Sequence, residues 1–201
     1  AKRSAGDRQY MRGPALEGER RFRLALSRMA GAEDGAPQLR QRLLLESALL
    51  CSLQAKHDQA VADAREAVDA STSTAEKAAA SGRLGQVLFE AGRWDQARAA
   101  LDEALGLAHA EGERVLEADV LRLLGDVANC RTDFPEAFHH FQSSLSLAQD
   151  LGDPHREGEA LLGLGSAEWD LGLLDEARTH LQTGLACMRR LADSNGEAKA
   201  L

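Results

Sequence analysis

The chain has 201 residues, with 24 Lys or Arg against 32 Asp or Glu, for a net charge of −8. That acidity argues against nucleic acid as a direct partner, and no apolar run approaches the roughly 20 residues that span a membrane. The absence of isoleucine, with six valines against abundant Ala and Leu, makes β structure improbable.

In chain order, residues 1–13 read as a polar, basic tail carrying Lys2, Arg3, Arg8 and Arg12. The first 23 residues hold seven basic and three acidic side chains, net +4, which leaves −12 for the remainder. Such asymmetry can steer a partner or complement a neighbouring domain. Residues 16–30 predict a helix with Phe22, Ala25, Leu26 and Met29 on one face, a partial repeat followed by the loop 31–37. Helices are then expected over 38–54, with Leu44, Ala48, Leu50 and Cys51 inward, and over 58–69, with Ala60, Ala64, Ala67 and Val68 inward. The STST stretch at 71–74 supplies a cap for a helix over 75–91, followed by one over 94–110.

A further pair is expected over 114–130 and 134–150, the second capped by Asp133 with Pro135 in its first turn. Gly152-Asp153-Pro154 stops that helix and starts the next. The last pair covers 154–170 and 174–192, then a loop at 193–196 and the start of another helix at 197–201. The units are thus 38–70, 75–110, 114–150 and 154–192, in a single array that reads as a piece cut from a longer chain. Exposed faces at its ends would allow a homodimer.

Those units are copies. LGQVLFEAGRWDQARAALDEAL (84–105) recurs forty residues on as LGDVANCRTDFPEAFHHFQSSL (124–145), and again as LGSAEWDLGLLDEARTHLQTGL (164–185). Gly85, Gly125 and Gly165 align without gaps; so do Ala97, Ala137 and Ala177, and Leu101, Phe141 and Leu181. A fixed period of this size predicts an array of helical hairpins, each buried by its neighbours. Leu84, Leu88, Leu124 and Leu164 give the first helices their buried stripe, and Trp94, Ala97, Leu101 and Leu105 do so for a second helix. The aligned glycines and alanines sit where the paired helices approach closely.

The pattern L-G, an apolar residue, a turn glycine, then Ala and Leu or Phe at helical spacing resembles the tetratricopeptide repeat. The period exceeds the usual value of about 34 and is similar to the forty-residue variety of Pins-type adaptors, kinesin light chains and the sensor arms of bacterial signalling ATPases. Where the family carries tyrosine, three after the glycine, this chain has Leu88, Ala128 and Glu168; the turn glycine of Gly92 and Gly172 is Thr132 in the middle unit. The resemblance implies an all-α, right-handed superhelical α-solenoid of antiparallel helix pairs, with the first helices on a concave face.

Signatures of chemistry are sparse. His139 and His140 are adjacent on a helix and so point about 100° apart, and neither His155 nor His180 has a partner at ligand spacing. Gly82, Gly85 and Gly92 follow no strand and do not form a dinucleotide motif. Cys51, Cys130 and Cys187 lack the spacing of a zinc site or a disulfide framework and suit a reducing, cytoplasmic setting. No catalytic residue, metal ligand or cofactor is expected, and the chain reads as a non-enzyme.

The resemblance places on the concave face Arg42 in the first full unit, then Gln86, Phe89 and Glu90 in the next. Asp119, Arg122, Asp126 and Asn129 follow in the third, and Glu159, Ser166, Trp169 and Asp170 in the last. Phe89 and Trp169 either anchor a partner, offering apolar area at low entropy cost, or pack sideways against the next unit. Glu90, Asp126, Glu159 and Asp170 favour a protein or peptide of basic character. The function read from this is a protein-interaction scaffold that binds a peptide segment in its groove. The alternative is the effector-sensing arm of a larger bacterial signalling ATPase, kinase or transcriptional regulator.

Overall fold

The computed structural model describes Glu17, Gly18, Arg21, Phe22, Leu24, Ser27 and residues 37–200, with side chains to Ala192. The 1–13 tail and Ala25, Leu26 and Met29 of the first expected helix lie outside the described residues; Phe22 and the five others described in that stretch are helical. Eight further helices follow: α1 Pro37–Leu53, α2 His57–Asp69, α3 Thr74–Glu90, α4 Trp94–Glu111, α5 Arg114–Cys130, α6 Phe134–Leu151, α7 Pro154–Asp170 and α8 Leu174–Ala200. There is no strand among the described residues. The chain divides into two compact units, Ala1–Glu103 and Ala104–Leu201, with the division inside α4.

In the first unit α1, α2 and α3 pack as successive antiparallel neighbours. Leu44, Ala67 and Ala80 form its apolar centre. A polar pin sits beside it: Asp63, 2% exposed, accepts from Ser47 Oγ at 2.7 Å and Gln59 Nε2 at 2.8 Å. In the second unit α5, α6, α7 and α8 stack in the same way around Ala128, Ala137, Phe141, Leu164 and Ala167.

Helix spacing within a hairpin is set by the aligned glycines. A Cβ built on Gly85 would lie 2.5 Å from the Leu101 side chain, one on Gly125 2.7 Å from the Phe141 ring, and one on Gly165 2.7 Å from Leu181. Any of these is closer than real carbon atoms approach. Phe141 is held from a second side as well, because a Cβ on Gly163 of α7 would also collide with its ring. That ring is 1% exposed.

Turns and caps follow the sequence signals. Ser73 accepts from the Glu76 amide, Asp133 from the Glu136 amide, and Asp153 from the amides of His155 and Arg156. At every hairpin turn one amide reaches back five residues to the last helical turn: Lys56 to Cys51 O, Arg93 to Leu88 O, Asp133 to Ala128 O and Leu173 to Glu168 O, at 2.8–2.9 Å. Closing that ring requires a left-handed residue just before the donating amide. Gly92 and Gly172 supply it, but the same conformation is imposed on Ala55 (φ 59°) and Thr132 (φ 61°).

Two expectations are corrected. Trp94 does not join the buried stripe of its helix: it is the first residue of α4, no preceding turn covers it, and it is 41% exposed. The stretch 193–196 does not form a loop, and no separate helix begins at 197. Instead α8 runs on to Ala200, since Glu197-Ala198-Lys199-Ala200 are strong helix formers that outweigh a single glycine. At the place of the family's tyrosine Glu168 is 3% exposed, and its Oε2 lies 2.7 Å from His180 Nδ1.

The left-handed threonine generates a prediction. An L-residue in that conformation costs about 1 kcal/mol, partly offset by the greater freedom of an unfolded glycine. Thr132→Gly is therefore expected to raise the thermal midpoint by about 2 °C in a circular-dichroism melt, whereas Thr132→Ala leaves it unimproved.

Candidate functional site

On α5, Asp119, Arg122, Asp126 and Asn129 follow one another at steps of three, four and three, which brings them onto one face of a helix with 3.6 residues per turn. On α7, Glu159, Leu162, Ser166 and Trp169 repeat the same steps forty residues later. α5 and α7 lie side by side in the second unit, and the two faces enclose a cavity of about 400 Å³. Five expected site residues line it: Arg122, Asp126, Asn129, Glu159 and Ser166. The apolar lining comes from Phe141 of α6, Leu162 and Gly163 of α7, and Met188 of α8.

The polar groups are knitted together. Arg122 Nη1 donates to Asp126 Oδ2 at 2.7 Å, and its Nε lies 3.5 Å from Glu159 Oε2 without hydrogen-bond geometry. His155 Nδ1 stands 3.7 Å from the same Glu159 oxygen. Asn129 Nδ2 donates to Ser166 Oγ at 3.4 Å. Burial raises the Asp126 carboxyl to about 6, opposed by the Arg122 charge and reinforced by that of Glu159. Burial, together with the Asp126 charge, also pushes the Cys130 thiol up, which keeps it from being a reactive thiolate.

At one end of the same face, Asp119 receives both Nε and Nη2 of Arg156, at 2.8 and 2.9 Å. These bonds raise the guanidinium's pKa and fasten the start of α7 to α5. Asp153, capping α7, is held below its ordinary range, chiefly by the Arg156 amide. At the other end Trp169 stands 61% exposed, followed by exposed Asp170.

The remaining expected residues belong to the first unit. Arg42 on α1 is exposed. On α3, Arg83 Nη1 donates to Gln86 Oε1 at 2.7 Å, Gln86 Nε2 to Glu90 Oε1 at 3.0 Å, and Ser52 Oγ to Glu90 Oε2. Phe89 is half-buried. Sequence reasoning missed the cavity lining supplied by Phe141, Gly163 and Met188, and the tethering role of Arg156. A signal was present: Gly163 occupies the position held by Arg83 and Leu123 in the preceding units, one unit on from a phenylalanine where the others have leucine. Among the described residues no group of three His, Cys, Asp or Glu side chains could hold a metal ion. No described helix is long and apolar enough to cross a membrane, and none of the three cysteines forms a disulfide.

Comparison with known proteins defines the class. Residues 76–150 match the family description "Tetratricopeptide repeat", and the hairpins on either side of that stretch carry the same architecture. Residues 76–150 are thus similar to the tetratricopeptide repeat, a match to rather more than a third of the chain. No curated protein matches the sequence. Among solved structures, BtubC (BKLC) from P. vanneervenii superposes with a TM-score of 0.77 at 19% identity, over 92% of this chain and 78% of that one. The Rap conjugation gene regulator of the plasmid pLS20, solved in complex with the Phr peptide, gives 0.74 at 19% identity, over 97% of this chain and 54% of its own length. A Podosopora anserina protein described as a kinesin light chain with nearly identical TPR-like repeats gives 0.73 at 13% identity, over 93% and 92%. These likenesses establish a TPR-like helical-repeat fold.

The raised Asp126 pKa yields a pH test. A carboxyl raised in the folded state favours folding most below its unfolded value of about 3.8, and that contribution is lost as pH rises through about 6. Asp126→Asn, which keeps the protonated shape, is expected to melt with the parent protein near pH 4 and above it at pH 7.5. A difference independent of pH would contradict the assignment.

Proposed function

We propose that this chain is a non-catalytic protein-interaction module that binds a peptide or partner segment along the face bearing the expected site residues. The observation that carries the reading is Trp169. A tryptophan 61% exposed at the end of α7, three residues beyond cavity-lining Ser166, offers a large apolar anchor beside polar groups that fix orientation. That is the composition of a binding hot spot. Phe89, Gln86 and Glu90 offer a second aromatic-and-polar cluster in the first unit, and Arg42 extends that face along α1. The acidic side chains Glu90, Asp126, Glu159 and Asp170 favour a basic partner. Cysteines that form no disulfide suit the cytoplasm.

A second reading has its own support: the fold likeness to the Rap conjugation gene regulator, which exceeds this chain in length and was solved with a peptide. In that reading the repeats are the effector-sensing arm of a larger bacterial regulator, and the same face receives the effector.

Selection from a displayed peptide library against the intact chain tests the common element. Trp169→Ala is expected to weaken the selected peptides at least about tenfold, as for an interface anchor, with helicity and melting unchanged. Retained binding, or unfolding of the variant, would remove the anchor role.

A further inference from the structure

The cavity of the second unit is unbalanced in charge and leaves polar atoms without partners. Among its described lining residues, Arg122 is the single cation facing two carboxylates, Asp126 and Glu159. Arg122 and His155 approach those groups through Asp126 Oδ2 and Glu159 Oε2. Asp126 Oδ1 and Glu159 Oε1 therefore remain as acceptors, and Asn129 Oδ1 meets no donor among the described residues. These oxygens come from two helices, and beside them Arg122 Nε is a buried donor without a hydrogen-bond partner among the described residues. The surplus negative charge is felt at Asp126, whose carboxyl is raised to about 6 by burial, against the Arg122 charge and with that of Glu159. The rest of the lining includes Leu162, Met188 and the largely covered ring of Phe141, which are apolar.

We propose that the cavity receives a primary ammonium carried on a short aliphatic stem, the group borne by a lysine side chain or by a free alkylamine. The stem lies against Leu162, Phe141 and Met188. The ammonium reaches Asp126, Glu159 and Asn129 and restores charge balance without displacing Arg122. An ammonium suits the site better than a guanidinium, because its three donors can turn toward separated acceptors, whereas the guanidinium fork needs one carboxylate presented edge-on, and Arg122 already occupies an oxygen of Asp126. An anionic ligand would meet two carboxylates. A neutral one would leave the surplus charge uncompensated. The volume, about 400 Å³, falls within the range of small-ligand sites. The inference deepens the peptide-binding reading and rests on it for a lysine as the source of the ammonium.

The test is a titration of the intact, ¹⁵N-labelled chain, followed at the Gly163 and Ser166 amides, with three probes. These are the blocked peptide Gly-Gly-Lys-Gly-Gly, the same peptide with Gln for Lys, and n-butylamine. The expected result is saturable shifts with the lysine peptide and with butylamine, none with the glutamine peptide, and about tenfold weaker binding in both Glu159→Gln and Asp126→Asn. Saturation by butylamine alone would uphold the ammonium site and count against a peptide as its source. Saturation by the lysine peptide alone would uphold both. Equal binding of the glutamine peptide, insensitive to the two substitutions, would overturn the ammonium site while leaving peptide binding standing. Absence of saturable shifts with all three probes would overturn it outright.

Discussion

The contact on which the structure depends is the approach of a glycine on one helix to a single bulky side chain on its partner. Two helices cannot pack at this distance if both carry a side chain there, because ridges must enter grooves rather than meet head-on. Gly85 against Leu101, Gly125 against Phe141 and Gly165 against Leu181 solve the problem in the same way at intervals of forty residues. Once the hairpin spacing is fixed, the buried alanines at 97, 137 and 177 follow, all 0% exposed, since only a small residue fits the same close seam. The hairpin turns are subordinate to this seam. They hold their left-handed residue even where the sequence supplies alanine or threonine.

The middle hairpin is where the rule bends, and the cavity lies there. Phenylalanine replaces leucine at position 141, and glycine at 163 accommodates the ring from the following hairpin. The same ring lines the cavity from which α5 and α7 present Arg122, Asp126, Glu159 and Ser166. The geometry of the cavity is thus tied to a core substitution. Polar side chains of α5 and α7 are held by the Arg156–Asp119 fork at one end of the face and by the Asn129–Ser166 contact toward the other. Trp169 stands outside this lattice, exposed.

Much of this was legible in the sequence because the repeat registers itself. Aligned copies fix helix ends through their caps, so α1 to α7 begin and end within one residue of expectation. The resemblance grouped Arg122, Asp126, Asn129, Glu159 and Ser166 with seven other residues, and these five line one cavity. What failed were properties decided by neighbours rather than by pattern. Trp94 matches the helical period but sits at a helix start. Glu168 departs from the family's tyrosine, and its His180 partner comes from the next helix. The end of α8 turns on a balance between one glycine and four good helix formers. The cavity was illegible for the same reason: its apolar lining comes from three helices, and Phe141 and Gly163 each read locally as ordinary packing.

The most direct test of the central claim is a double-mutant cycle between Phe141→Leu and Gly163→Ala, measured by urea denaturation. In the unit where leucine stands at the corresponding position, Leu101, the matching residue one unit on is Leu123 rather than glycine, so leucine should tolerate a side chain at 163. The account predicts that Gly163→Ala costs at least about 1 kcal/mol less in the Phe141→Leu background than in the parent protein, a coupling typical of residues in contact. Additive effects, within about 0.4 kcal/mol, would show that the ring and the glycine do not set the spacing between these helices.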